Sequence, residues 1–258
     1  VKAIGTRTLS IAVAVPIVVA AVLLGPMTFF VLLTFLYVLA WREISSLTEA
    51  LGGKPFVLFA AAGLAFLALG LWGDPHAFLP MTVVVLLLAA AITMVTGEAV
   101  GAALGFFLTL WVAWPLGLLS ALSHSGALVV LATLGVVWAD DVAAYLTGSA
   151  IGRHPFAPLV SPGKTWEGSV AGLLAAVLVA ILGHGWFGVG MGEGAILGVV
   201  TGIFAQAGDL FESSLKRKAA LKDSGAFLPG HGGVLDRLDA VLFGVIAVYY
   251  FLTLRGHL

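Results

Sequence analysis

Nine long apolar runs leave few folds open to this chain. They cover about residues 9–24, 27–41, 55–72, 79–96, 99–119, 126–147, 166–186, 194–211 and 234–254. A helix that crosses a bilayer needs about 20 mostly apolar residues, and most of these runs approach that length. The chain is 61% hydrophobic and only 10% charged, with a mean hydropathy of +1.13. No water-soluble globule hides that much apolar surface. The runs are continuous rather than alternating, which argues against a β-barrel built of about 10-residue strands. The fold class expected is all-α: a polytopic integral membrane protein with about nine transmembrane helices.

The positive charges test that count. With nine spans, one membrane face carries the N-terminus and the loops near 42–54, 97–98, 148–165 and 212–233. Lys2, Arg7, Arg42, Lys54, Arg153, Lys164, Lys216, Arg217, Lys218, Lys222 and Arg237 all fall on that face, and Arg255 alone on the other. Such an asymmetry predicts that the N-terminus and the charged loops are cytoplasmic. Lys2 and Arg7 ahead of an apolar run resemble a signal peptide, but no small-x-small site precedes Gly25-Pro26, so an uncleaved first helix is expected. Cysteine is absent, which excludes disulfides and thiolate chemistry, and no asparagine offers a glycosylation site.

Polar residues are unevenly spread. Residues 1–135 read as membrane scaffold, and residues 136–258 hold nearly every side chain capable of chemistry. In the loop at 42–54, Ile44, Leu47 and Leu51 stand at helical spacing, consistent with a short interfacial helix ended by Gly52-Gly53 or with a plain solvated loop. Asp140 and Asp141 are adjacent near the end of the sixth run, where an unpaired acid costs about 2.5–3.5 kcal/mol at mid-span and less near an end. Gly163-Lys164-Thr165 suggests a Walker loop, but Pro158 replaces the required glycine and no strand is expected before it. The better reading puts Lys164 at a helix N-terminus, where amides and dipole already favour phosphate. A snorkelling interfacial lysine is the plainer alternative, and Glu167 reads as a first-turn acid. Asp209, Glu212 and Ser213 share one helical face, with Glu212 able to pair with Lys216. Asp236 and Asp239 share another, just after a glycine-rich helix start at 230–233 suited to an anion. His76, His124, His154, His184 and His257 lack metal-ligand spacing.

The richest stretch runs Ser213, Lys216-Arg217, Lys222-Asp223, Gly225, Leu228-Pro229, His231-Gly232-Gly233 and Asp236-Arg237-x-Asp239. It resembles the signature of the CDP-diacylglycerol synthase (phosphatidate cytidylyltransferase) family. Ser161-Pro162-x-Lys164-Thr165-x-Glu167-Gly168 resembles a second motif of that family. Trp138, Asp141 and Tyr145 fit a third, in which Asp140 stands where a small residue is expected and a side chain turned to the headgroups accounts for it equally well. The resemblance implies that CTP and phosphatidate react to CDP-diacylglycerol and pyrophosphate. It implies a homodimer in the inner (cytoplasmic) membrane of a prokaryote, with a cytoplasmic site open sideways to lipid. Mg²⁺ is the expected cofactor, with room for a second cation, and no nucleic acid is expected as a partner. Asp209 and Asp236, with Asp141 and Asp223, are the candidate metal ligands. Lys164, Lys216, Arg217, Lys222, His231, Arg237 and Asp239 are the candidate catalytic groups. Ser161, Thr165, Ser213, Gly232 and Gly233 are the candidate substrate contacts.

Two other readings compete. A related CTP-dependent enzyme acting on an ether lipid or polyprenol shares the chemistry. An ion-coupled transporter also carries intramembrane acids, but its acids are not expected to cluster at one face without an inverted repeat. A CDP-alcohol phosphotransferase needs a longer run of spaced aspartates than Asp236-x-x-Asp239 supplies.

Overall fold

A computed structural model describes residues 2–73, 75–225 and 232–258. Its helices are α1 (Lys2–Leu23), α2 (Pro26–Ala50), α3 (Val57–Leu71), α4 (Phe78–Thr96), α5 (Ala99–Leu122), α6 (Ala127–Ile151), α7 (Trp166–Leu182), α8 (Met191–Lys218) and α9 (Leu235–Leu254). Each expected apolar run coincides with one of them. Among the described residues six helices are long and apolar enough to cross a membrane: α2, α4, α5, α6, α8 and α9. The chain is an all-α integral membrane protein. The other apolar stretches, Val13–Leu23, Val57–Leu71 and Trp166–Leu182, are shorter. At 1.5 Å per residue, the 15 residues of α3 run about 22 Å, less than a hydrocarbon core of about 30 Å.

The helices differ from the apolar runs chiefly at their ends. α2 continues through residues 42–50, so the stretch read as loop or interfacial helix is the last turns of a span. Ile44 and Leu47 are buried there, and Gly52 at φ +85° ends the element. α8 likewise runs on through the polar Asp209–Lys218 stretch. Between α6 and α7 lies a small antiparallel hairpin, β1 (Pro155–Ala157) with β2 (Ser161–Thr165), pairing Pro155 with Thr165 and Ala157 with Ser161.

The chain forms two compact units. One comprises residues 1–124 and 218–236, the other 125–217 and 237–258. In the first, α5 is the hub against which α2, α3 and α4 pack. Its core holds Phe29, Leu33, Tyr37, Phe59, Phe66 and Leu108, all essentially inaccessible. The Tyr37 hydroxyl donates to the Phe59 carbonyl at 3.3 Å and occupies the space beside Gly63, where a side chain would collide with it. Leu86, Leu87, Val83 and Val84 of α4 are exposed, as lipid-facing residues are.

In the second unit α6 and α7 form the most extensive pairing. Small residues allow it: a Cβ on Gly168 would stand 2.6 Å from the Ala144 carbonyl, and one on Gly172 2.7 Å from that of Asp140. Close backbone approach of this kind is the usual basis of helix association in lipid, where burial of apolar surface gives no net drive. α8 joins through Gly198, which faces Ala176 and Val177, and α9 through Gly244, which faces Val137 and Thr201.

Candidate functional site

The second unit gathers charge from four helices and the hairpin. β2 delivers Lys164 just ahead of α7, and its Nζ lies 2.5 Å from Asp209 Oδ2 of α8, both side chains about 27% exposed. Lys164 thus pairs with an acid instead of snorkelling. One turn along α8, Glu212 is buried and its Oε2 lies 2.5 Å from Lys216 Nζ. Ser213 Oγ donates to Asp209 Oδ1 at 3.4 Å. Arg217 reaches back with Nε to the Val160 carbonyl, 3.2 Å away, tying the end of α8 to the hairpin turn. From α9, Asp239 Oδ1 receives the Ala240 amide at 2.7 Å, and the group lies within the field of Asp209, Glu212 and Asp141. Asp141 is exposed on α6 and feels Asp209, Lys164 and Arg237.

Asp140 turns the other way. It is buried, and its Oδ1 accepts the Gln206 amide at 2.9 Å. The same Gln206 nitrogen donates to the Ser169 carbonyl at 2.9 Å, while the Ser169 hydroxyl donates to Gln206 Oε1. Asp140 is therefore part of a lock joining α6, α7 and α8, and not a headgroup-facing acid. Thr165 is the N-cap of α7, its Oγ1 accepting the Gly168 amide at 3.2 Å. Glu167 does more than face the helix dipole: it accepts the Arg153 and His154 amides at 3.2 and 3.3 Å and pairs with His154 Nδ1 at 2.6 Å. Ser161 opens β2, half-buried.

The rest of the candidates lie in the first unit. Lys222 and Asp223 are exposed in the bend that follows α8. Asp236 Oδ2 receives three donors: the Ser224 amide at 3.0 Å, the Ser224 hydroxyl at 2.9 Å and the Gly233 amide at 2.7 Å. Gly232 sits at φ +79°, and a Cβ there would stand 2.5 Å from the same oxygen. Gly233 is buried beside it. The next two amides, Val234 and Leu235, donate to Glu43 of α2. The described amides at this helix start, those of Gly233, Val234 and Leu235, thus donate to two carboxylates of the chain itself. His231 lies outside the described residues.

The Cytidylyltransferase family model matches residues 5–255, nearly the whole chain. The chain belongs to this family. A phosphatidate cytidylyltransferase of Brucella suis is 36% identical over 215 residues, covering 82% of this chain and 78% of its own. Those of Helicobacter pylori and Synechocystis are 47% and 43% identical over 131 and 132 residues. These matches take in 49% and 50% of this chain, and 49% and 45% of theirs, so the chain spans about half the length of those two relatives.

In this family member, the charge cluster of the second unit can be weighed as a donor set. Asp140 and Asp141 feel Lys164, and Asp141 also Arg237; Asp209 pairs with Lys164 and Glu212 with Lys216, while Asp239 faces the acids Asp209, Glu212 and Asp141. Among the described residues no three His or acid side chains converge to hold a metal alone. Mg²⁺ typically takes one or two carboxylates and completes its shell with water and substrate phosphate. Glu43 and Gln206 are functional-region residues that sequence reasoning missed. A signal for Glu43 was present: Ala40, Glu43, Ile44 and Leu47 recur at the spacing of one buried helical face.

Proposed function

We propose that this family member is a phosphatidate cytidylyltransferase of the bacterial inner membrane, making CDP-diacylglycerol and pyrophosphate from CTP and phosphatidate. The observation that carries the reading is the acid and cation cluster around Asp209 and Lys164, in a chain whose relatives bear that name. A phosphate oxygen of phosphatidate attacks the α-phosphorus of CTP, and the bond from that phosphorus to the β,γ-diphosphate breaks. No protein nucleophile is needed. Bound Mg²⁺, held by Asp209 with Asp141, would neutralise charge on the phosphates and ease departure of pyrophosphate. Lys164, Lys216 and Arg237 offset the remaining phosphate charge. Lys164, paired with Asp209 in the structure, would pair with a phosphate oxygen of bound substrate, and Asp209 would then be available to hold the metal. Residues 136–258 carry the chemistry and 1–135 the scaffold, with Glu43 an exception taken up below. Homodimerisation belongs to the same reading and is checked by mass measurement in detergent.

The test is pyrophosphate release by purified protein in detergent, where no ion gradient exists. Release that requires both CTP and phosphatidate is expected. Folded protein that releases none defeats the synthase reading and reopens transport. Release with a polyprenol phosphate, but not with phosphatidate, moves the substrate assignment to another lipid.

We further propose nine spans with a cytoplasmic N-terminus, supported by the nine apolar helices among the described residues and the bias of Lys and Arg. Short helices such as α3 and α7 can span if the bilayer thins locally or flanking side chains snorkel. Because the native chain has no cysteine, single cysteines report position without background. Ser149→Cys and Ser224→Cys are expected to react with an impermeant maleimide only from the cytoplasmic side, and Ser125→Cys, at an exposed position, only from outside. Labelling of positions 149 and 224 from opposite faces would require an odd number of spans between them.

A further inference from the structure

Glu43 is an acid in the apolar stripe of α2, only 7% exposed. A carboxylate in that setting is costly unless donors surround it. Here they do. Oε1 accepts the Val234 amide at 2.7 Å, and Oε2 accepts the Leu235 amide at 2.9 Å and the Ser224 hydroxyl at 2.8 Å. These donors come from both ends of one short segment, 191 and 181 residues along the chain from Glu43. Ser224 Oγ also lies 2.9 Å from Asp236 Oδ2, so its single proton is shared between two acids. The glycines of the segment fit the same carboxylate closely. A Cβ on Gly225 would stand 2.6 Å from Glu43 Oε1, and one on Gly233 would collide with both Glu43 and Ser224. Bonds to a charged acceptor are the stronger kind, and this one is shielded from solvent.

We infer that Glu43 is a positioning residue of the enzyme: its carboxylate clips residues 224–225 to residues 233–235 and so sets the shape in which the signature presents Lys222 and Asp223. The inference rests on the functional reading above for its effect on turnover, but not for the clip itself. Three features separate a clip from ordinary core packing. Both oxygens are used, each donor among the described residues belongs to the signature segment, and the segment has glycine at two points where a side chain would displace the acid. An interior acid serving only the packing of α2 would have no reason to meet main-chain amides of that one segment.

The experiment pairs turnover with amide hydrogen exchange of the full chain in detergent. Glu43→Gln keeps the shape but replaces one acceptor oxygen with a donor that faces another donor. Turnover is expected to fall by about 10- to 100-fold. Amide exchange at 233–235 is expected to quicken by about tenfold or more, while protection of α2 to α5 stays as in the wild type. Turnover within twofold of wild type with unchanged exchange at 233–235 overturns the inference. So does loss of protection throughout α2 to α5, which would make Glu43 a general packing residue. If Glu43→Gln does not fold, Ser224→Ala decides: it removes only the shared hydroxyl, and a smaller change in the same two readouts is expected, whereas no change overturns the clip. Wild-type protein without CTP-dependent pyrophosphate release would instead sink the functional reading, and the exchange comparison would still decide whether Glu43 holds the segment.

Discussion

Asp209→Asn should lower turnover by about 100- to 1,000-fold while leaving a folded, membrane-inserted protein. Asparagine matches aspartate in shape, so the packing of α8 is unaffected. The lost ion pair with Lys164 is about a quarter exposed on both sides, between a surface pair worth about 0–1 kcal/mol and a buried one whose breaking costs about 3–5 kcal/mol. What the substitution removes is an anionic oxygen in the midst of Lys164, Asp141 and Asp239. The variant should need far more Mg²⁺ to approach its own maximum rate. The measurement is pyrophosphate release across a Mg²⁺ titration, alongside a melting curve in detergent. Near-normal turnover at limiting Mg²⁺ would remove Asp209 from the metal site.

Lys164→Ala is expected to act on the other substrate partner. Loss of one charged hydrogen bond to a phosphate costs about 1.5–3 kcal/mol, or about 10- to 150-fold in kcat/KM for CTP. The Mg²⁺ requirement should not rise, because Asp209 is relieved of its competing cation. The two variants therefore separate in a pair of titrations, one against Mg²⁺ and one against CTP. If Lys164→Ala leaves kcat/KM for CTP unchanged, the Lys164–Asp209 pair is a structural contact of the hairpin and nothing more.

Much of the fold was legible because lipid imposes a simple demand: a crossing helix must be apolar along its length. Every helix lies over an apolar run for that reason. The ends were less legible. Residues 42–50 and 212–218 are polar enough to read as loops, yet they extend α2 and α8, since a helix can leave the hydrocarbon without unwinding. The hairpin at 155–165 escaped notice because its proline and glycine read as punctuation before a helix. Among the polar residues, i, i+4 neighbours such as Glu212 and Lys216 could be paired on paper. Asp140 could not, because its partner Gln206 is 66 residues away. Glu43 was hidden in the same manner, an acid whose donors lie more than 180 residues downstream. Long-range polar contacts leave no periodicity in the chain that makes them.

The same distance bears on how such a protein can be recombined. A crossover near residue 125, between α5 and α6, divides the helices neatly, since no span is cut and every motif of the C-terminal half stays together. It would nevertheless part Glu43 from Ser224, Val234 and Leu235. A hybrid that inherits α2 from one parent and residues 218–236 from another retains the fit only if the first supplies the acid and the second the serine and two glycines at matching positions. The heritable module is therefore not a contiguous half of the gene but two separated stretches, which must travel together or change in step.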